Sequence, residues 1–81
     1  MDVKQLRYFI ALAEEQHFGR AAERLHITQP PLTRSIQALE SSLDTTLFVR
    51  TSKGATMTTA GHLLLEKARS ILSLTQDARE H

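Results

Sequence analysis

The sequence has no cysteine and no tryptophan, only three glycines and two prolines, and 5% aromatic residues. Without cysteine it can form neither a disulfide nor a thiolate zinc site, which fits a reducing compartment. The apolar runs are short and interrupted by charge, and the N-terminal MDVKQLRYF has no apolar run after basic residues. The sequence therefore predicts no signal peptide and no membrane span, and we expect a cytoplasmic location.

With 81 residues, of which 41% are hydrophobic, the chain can build one small core of three or four helices. Its formal net charge is only +1, which is weak support for nucleic-acid binding. The charge is unevenly distributed, however, because no acidic residue lies between Arg24 and Leu39. A locally positive surface is sufficient for phosphate contacts, and the basic residues in or near it are Arg20, Arg24, Arg34, Arg50 and Lys53.

Residues 18 to 43 predict two short amphipathic helices separated by a three-residue turn. Their apolar positions recur at helical spacing. These positions are Phe18, Ala21, Ala22 and Leu25 in the first helix, and Leu32, Ile36, Leu39 and Leu43 in the second. Because paired alanines allow a close and steep crossing, the pattern favours a helix-turn-helix.

The second of these helices, predicted over residues 29–43, begins with a double proline. If Thr28 is the N-cap, its hydroxyl has no ordinary partner, since Pro30 and Pro31 lack an N–H group. Prolines are tolerated there because first-turn donors have no intrahelical partner anyway. The Thr28 hydroxyl and the N–H of Gln29 are then available to an external partner, and a phosphate is favourable at a helix N-terminus.

The outer face of the same helix carries polar side chains that can hydrogen-bond to base edges. Arginine can grip guanine O6 and N7, and glutamine can grip adenine N6 and N7. Arg34, Gln29 and Gln37 are therefore the candidates for base reading, and Thr33 and Glu40 share their face. The alternative is an ordinary solvated surface, which would be the better interpretation of any one of them alone.

A first helix is predicted before this pair, because apolar residues recur from Val3 to Ala13 and the pattern stops near Glu15 or Gln16. We interpret it as the third wall of the core. Arg7 lies off its apolar stripe and is a candidate for a phosphate contact.

After Leu43, β-branched and aromatic residues flank a turn at Ser52 to Gly54, which predicts a hairpin with strands at about 47–50 and 55–58. Arg50 and Lys53 could reach the DNA backbone or the adjacent minor groove. A simply solvated basic turn is the alternative, with nearly equal weight for Arg50. The fold class that follows is mainly α: a winged helix-turn-helix over residues 1–58, with a three-helix core and a two-stranded wing.

A long helix is predicted from residue 59 to 81, preceded by Thr58 or Thr59 as its cap. Its apolar stripe is wider than a small domain can cover, which is typical of a partner surface. The residues predicted to pair two copies are Leu64, Ala68, Ile71, Leu72 and Thr75. Such pairing would suit a palindromic DNA site. The alternative is that the helix packs on its own core, as part of the stripe must.

The chain resembles the N-terminal domain of LysR-type transcriptional regulators over nearly its whole length. The motifs that carry the resemblance are LRYFIALAEE (6–15), HFGRAAERLHITQPPLTRSIQALE (17–40), LFVRT (47–51) and TTAGHLLLEKA (58–68). The resemblance implies that the third helix reads DNA, with Pro30 and Pro31 also at the DNA, and that the wing at 51–54, including Thr51, contacts the backbone. It further implies antiparallel pairing of the last helix, a missing effector-binding domain, and tetramers of the full-length protein with a small-molecule effector.

Two positions depart from the pattern of that family. Gly19 replaces a Ser or Thr, so we expect the second helix to lose a side-chain cap. Asp44 replaces a Gly, so it must adopt a left-handed conformation or end the helix differently.

Enzyme activity is not expected, because the four histidines lack metal-ligand spacing and neither a phosphate loop nor a nucleophile motif is present. We predict no cofactor and no metal. The competing hypothesis is a winged-helix module for protein association, with the last helix as its working surface. The polar set on the reading helix argues against it.

Overall fold

The computed structural model describes the backbone of residues 1–80 and the side chains of residues 1–73. Over this range the chain forms four helices and one two-stranded antiparallel sheet. In chain order the elements are α1 (Val3–Glu15), α2 (Phe18–Arg24), α3 (Gln29–Leu43), β1 (Phe48–Thr51), β2 (Gly54–Met57) and α4 (Thr59–Glu80). The predicted mainly α architecture, with a hairpin between the third and fourth helices, is confirmed.

Helix α1 lies at the centre of the fold and packs against the other three helices. The Asp2 carboxylate caps its start by accepting from the Gln5 N–H at 2.7 Å, and Gln16 ends it in a left-handed conformation. The most deeply buried side chains of the core come from α1, α3 and the start of the hairpin: Phe9, Leu12, Leu32, Leu39 and Leu47. The rings of Phe9 and Phe48 lie 5.4 Å apart, which joins the hairpin to this core.

Helix α2 has a side-chain cap, contrary to the expectation drawn from Gly19. His17 is its N-cap, and Nδ1 of His17 accepts from the Arg20 N–H at 3.1 Å. Gly19 lies inside the first turn, so the residue type at that position does not decide whether the helix is capped. The prediction was wrong because it put the cap next to the alanine pair rather than before Phe18.

Helix α3 begins as the double proline predicts. Thr28 is its N-cap in an extended conformation, and the Thr28 side chain makes no cap hydrogen bond. At the other end Asp44 adopts a left-handed conformation with φ 49°, one of the two expected outcomes. Leu32, Ile36 and Leu39 are buried as predicted. Leu43, predicted on the same apolar stripe, is 40% exposed at the last position of the helix.

The hairpin is displaced by one residue toward its tip relative to the prediction. Its strands pair with Phe48 opposite Met57 and Thr51 opposite Gly54. The first position of the second strand has a φ of +135°, a conformation that residues with a side chain disfavour. Gly54 adopts it because it has no Cβ. The hairpin is anchored on the turn after α1, since the N–H of Ala55 donates to the Gln16 carbonyl at 3.0 Å.

Helix α4 begins at Thr59 with Thr58 as its cap, one of the two caps that the sequence predicts. Oγ1 of Thr58 accepts from the Gly61 N–H at 3.1 Å and donates to the Thr46 carbonyl at 2.7 Å. The predicted pairing stripe is divided between the core and the surface. Ala68 is fully buried against the chain's own core, so it is not on the surface of the monomer, and Leu64 and Leu72 are half-buried. Ile71 is 41% exposed, and the side chain of Thr75 lies outside the described residues.

An ion cluster joins α1, α2 and α4, and we call Glu14, Arg24 and Arg69 the Glu14 cluster. The Glu14 carboxylate accepts from Nη2 of Arg24 and from Nη2 of Arg69, each at 2.7 Å. The Arg69 hydrogen bond, followed by that of Arg24, lowers the pKa of Glu14 below its ordinary value. This cluster therefore links the long helix α4 to α1 and α2.

Candidate nucleic-acid interface

The polar side chains on the outer face of α3 reach solvent. Gln29, Pro30, Arg34 and Gln37 are exposed, and Pro31 and Thr33 are half-buried. Their orientation follows from the opposite face, because burial of the apolar residues against α1 and α2 turns the polar residues outward. The structure thus places every predicted base-reading residue of this helix on an accessible face.

The first turn of α3 is suited to an anionic partner. Thr28 is exposed, and within the described part of the chain its hydroxyl makes no hydrogen bond. The first N–H groups of a helix point out of its N-terminus and carry a partial positive charge. Of the residues in this turn, Gln29 retains an N–H group, whereas the two prolines do not.

A shallow groove of about 340 Å³ separates this turn from the hairpin. It is lined by His17, Phe18, Gly19, Gln29, Arg50, Thr51, Ser52, Lys53 and Gly54. The structure therefore brings the start of α3 and the wing to one surface, as the sequence predicts. Lys53 and Arg50 supply its positive charge.

Within the wing, Thr51 and Arg50 are engaged in contacts of their own. The Thr51 hydroxyl donates to the Gly54 carbonyl at 3.4 Å and accepts from the Lys53 N–H at 3.2 Å, so it closes the turn. The Arg50 guanidinium lies 3.8 Å from the centroid of the Phe18 ring. Nη2 of Arg50 also donates to Oγ1 of Thr33 at 3.3 Å.

Arg20 and Arg7 lie elsewhere. Nη2 of Arg20 donates to the Glu15 carbonyl at 3.1 Å, and its Nε lies 3.9 Å from the Glu15 carboxylate, so this exposed cation is directed to the end of α1. Arg7 lines a separate cleft with residues of α2 and α4, including Arg24 and Leu72. The structure does not bring Arg7 to the groove between α3 and the wing.

Glu40 differs from its predicted position among the solvated groups of the reading face. Its Oε2 accepts from the N–H of Leu47 at 2.6 Å and from the N–H of Phe48 at 3.2 Å. These donors begin the hairpin and would otherwise lack an acceptor. Glu40 therefore attaches the wing to α3, and no local sequence signal indicates this role.

Neither a metal-binding cluster nor a membrane-spanning helix is found in the described part of the chain. No group of three or more His, Asp or Glu side chains in this part is arranged to hold a metal ion. No described helix combines the length and apolar character needed to cross a membrane.

Comparison with known proteins agrees with this geometry. Residues 3–62 match the family model described as bacterial regulatory helix-turn-helix protein, lysR family. The chain is 56% identical over 79 residues to the HTH-type transcriptional regulator ClcR of Pseudomonas putida, covering 98% of this chain and 27% of ClcR. It is 54% identical over 71 residues to the HTH-type transcriptional regulator XapR of Escherichia coli strain K12, covering 88% of this chain and 24% of XapR. The chain thus spans about a quarter of the length of these relatives.

Solved structures show the same fold. The crystal structure of a CbnR DBD–DNA complex superposes with a TM-score of 0.95 at 48% identity, covering 99% of this chain and 92% of that one. A BenM DBD complex with catB site 1 DNA gives a TM-score of 0.94 at 41% identity, covering 99% of this chain and 90% of that one. The full-length LysR family regulator CbnR gives 0.95 at 48% identity, covering 99% of this chain and 28% of that one. The winged helix-turn-helix architecture is therefore confirmed.

Proposed function

Because this chain belongs to the lysR family of bacterial regulatory helix-turn-helix proteins, we propose that it binds double-stranded DNA sequence-specifically to regulate transcription. Helix α3 enters the major groove, and the wing at 51–54 lies in the adjacent minor groove. Two solved relatives of the same fold are DNA complexes of such domains. We assign no enzyme activity to the chain, since its relatives are transcriptional regulators.

The observation that carries the proposal is the composition of the exposed face of α3. Gln29, Arg34 and Gln37 are exposed on one helix face, and each can make paired hydrogen bonds to a purine edge. Thr33, Pro30 and Pro31 complete the surface that faces the bases. The Thr28 hydroxyl and the N–H of the first helical residue bind a phosphate at the helix start.

The remaining cations supply contacts that do not depend on base sequence. Lys53 at the tip of the wing is exposed and reaches the minor groove or its phosphates. Arg20 is exposed, although it is paired with Glu15, and exchanges that partner for a phosphate in the complex. Thr51 keeps the wing turn closed. Arg7 contacts DNA phosphates only where the duplex continues beside α1.

We further propose that the chain acts as a dimer on an inverted repeat. Leu63 is 58% exposed on α4, next to the half-buried Leu64, and a second copy of α4 would cover this face. A twofold pair of domains matches a palindromic DNA site. Since the chain spans about a quarter of its relatives, the full-length protein is proposed to carry a further domain, to bind a small-molecule effector and to form tetramers in the cytoplasm.

The test is selection of bound duplexes from a random-sequence DNA pool. The affinity of the best duplex is then compared with that of scrambled DNA at two salt concentrations. We expect an enriched inverted repeat and an affinity that falls steeply with salt, because bound cations release counterions from the DNA. Absence of enrichment from a folded, dimeric sample would reject sequence reading by this chain and favour the protein-association module.

A further inference from the structure

Besides the packing of Phe48 on Phe9, three sets of polar contacts among the described residues join the wing to the first three helices, and one of them lies on the DNA-facing side. The N–H of Ala55 meets the Gln16 carbonyl, and Glu40 accepts from the N–H groups of Leu47 and Phe48. The Glu40 contact lies where β1 leaves the core, and the Ala55 contact lies on the side of β2 that faces the end of α1. The third contact is Arg50, which extends from β1 to Phe18 of α2 and Thr33 of α3.

Arg50 is held by two interactions of different kinds. The Arg50 guanidinium carbon lies over the Phe18 ring, 3.8 Å from its centroid, and is attracted to the negative face of the ring. From this position, Nη2 of the same guanidinium donates to Oγ1 of Thr33 at 3.3 Å. The side chain of Arg50 is therefore directed at α3 rather than away from the protein.

The contact has a chemical consequence for Thr33. A hydroxyl has one O–H donor and two acceptor positions. Arg50 occupies one acceptor position, and its positive charge makes the oxygen a poorer acceptor for a second donor. Within the described residues the structure gives the O–H of Thr33 no acceptor, so the O–H is free to donate outward.

We propose that Arg50 is a positioning residue for base reading: it locks the wing to α3 and sets the Thr33 hydroxyl as a donor toward the DNA. Thr33 then favours a base edge that offers an acceptor in the major groove, such as N7 or O6 of guanine or O4 of thymine, over the exocyclic amine of cytosine. This inference rests on the proposed function, because it assigns the origin of specificity within the same DNA site.

The alternative role for Arg50 is a phosphate contact, and salt dependence separates the two. A cation that neutralises one phosphate contributes about 0.9 to the slope of log affinity against log salt. A positioning residue contributes to the choice of base and leaves that slope unchanged. Lys53→Ala is the matched control, since it removes a cation from the same wing that has no contact with Phe18 or Thr33; it should lower the slope by about 0.9 and leave base preference intact.

The experiment uses the preferred duplex of the selected pool and a set with single base-pair changes in the half-site. Wild-type protein must first discriminate among them; if it does not, the proposed function itself fails, and the role of Arg50 does not enter. Arg50→Ala and Arg50→Lys should each reduce discrimination at one base pair by about tenfold. The slope of log affinity against log salt should stay as in the wild type. Lysine keeps the charge but lacks the flat fork, so it should not rescue.

Three further variants identify the path of the effect. Thr33→Val removes the hydroxyl and should lose discrimination at the same base pair, with no additional loss in the double variant with Arg50→Ala. Thr33→Ser keeps the hydroxyl and should retain the preference. Phe18→Leu removes the ring but no charge, and should act like Arg50→Ala. Far-UV circular dichroism and thermal unfolding confirm that each variant is folded.

The inference is overturned by either of two results with folded variants. One is a slope reduced by about 0.9 in Arg50→Ala with discrimination unchanged, which would make Arg50 a phosphate contact. The other is additive loss in the double variant, or loss at different base pairs, which would separate Arg50 from Thr33.

Discussion

Arg34 and Lys53 carry the same charge but occupy different chemical positions. Arg34 is exposed on the face of α3 opposite the buried Leu32, Ile36 and Leu39, so its fork can reach base edges. Lys53 lies at the turn between the strands, and its flexible ammonium is a point charge rather than a planar fork. The two residues should therefore affect affinity and specificity differently.

The first prediction compares these two cations. Arg34→Ala should weaken binding to the preferred duplex by roughly 1 to 3 kcal/mol and relax the preference at one base pair. Lys53→Ala should weaken all duplexes about equally. Fluorescence anisotropy titrations with preferred and singly changed duplexes measure both effects. An Arg34→Ala protein that keeps the full base preference would remove Arg34 from direct reading.

The second prediction concerns Gly54, where backbone conformation and space both require glycine. Its φ is +135°, and a Cβ at this position would collide with the carbonyl oxygen of Gln16. Gly54→Ala should lower the free energy of unfolding by at least about 2 kcal/mol, measured by urea denaturation. Gly19→Ala is the matched control, because its nearest atom belongs to the His17 side chain rather than to the backbone, so its cost is limited to displacing the α2 cap, about 1 kcal/mol. Equal losses in the two variants would contradict this assignment.

At the residue scale, the sequence predicts what local chemistry decides. The unbonded cap at Thr28 follows from two prolines that lack N–H groups, and the left-handed Asp44 follows from the end of the helix at Leu43. Glu40 and Arg50 could not be predicted in the same way. Their partners lie 7 and 17 residues away along the chain, and only the packing of the hairpin on α3 brings them together.

At the element scale, the position of the wing depends on a carboxylate of α3. The N–H groups of Leu47 and Phe48 both donate to Glu40, and the side chains of these two residues are buried. The attachment therefore fixes where β1 leaves the core. A wing that is misplaced at its base cannot follow the groove beside α3.

The third prediction removes that attachment. Glu40→Ala leaves two partly buried N–H groups without an acceptor and should lower the free energy of unfolding by about 2 kcal/mol. It should also weaken binding to all duplexes, since the wing loses its position. Urea denaturation and anisotropy titration measure the two effects. Glu66→Ala, an exposed glutamate of α4, is the control and should change neither; similar behaviour of the two variants would contradict the role of Glu40.

The fourth prediction is a pH dependence that arises from the Glu14 cluster. The hydrogen bonds from Arg69 and Arg24 lower the pKa of Glu14 from 4.5, so the stability that this group contributes is present above pH 4.5. It is lost as the pH falls through the lowered pKa of the folded state. Glu14→Gln should therefore reduce stability by roughly 0.5 to 1 kcal/mol near neutral pH, a modest value because the cluster is partly exposed.

Urea denaturation of wild type and Glu14→Gln at neutral pH and at about pH 3 tests this prediction. The difference between the two proteins should shrink toward zero at the lower pH. The Arg69→Gln variant provides a double-mutant cycle that isolates the link between α1 and α4. A difference that persists unchanged in acid would show that the carboxylate charge is not its source.

Element boundaries were predictable where the signals are local, and less so where tertiary contacts decide. Helices α1 and α3 begin and end as caps and periodicity indicate, whereas the cap of α2 was misplaced and the hairpin is displaced by one residue because Gly54 joins β2 against Gln16. The sequence could not predict which apolar residues of α4 are buried in the monomer and which are exposed. Their spacing does not reveal that Ala68 meets the chain's own core while Leu63 remains at the surface.

At the scale of the whole molecule, the shape separates two surfaces. The fold measures 44 × 27 × 19 Å, and α4, with 22 residues, is its longest helix. The reading face is formed by α3 and the wing, whereas the exposed apolar residue Leu63 lies on α4. A second copy paired through α4 would leave both reading faces free, so dimerisation and base reading can be tested separately.

The fifth prediction uses a substitution on α4 to change the affinity for DNA without changing the base preference. Leu63→Glu places a charge on the exposed face of α4 and should shift the monomer–dimer equilibrium toward the monomer, measured by sedimentation velocity. Binding to a duplex with two half-sites should fall toward that for a single half-site, because the second contact is no longer linked to the first. Base preference within a half-site should stay unchanged, since α3 is not altered. Leu43→Glu is the control, an exposed leucine outside α4 that should leave the dimer intact. If Leu63→Glu kept the preference for two half-sites, the partner surface would have to lie elsewhere on the molecule.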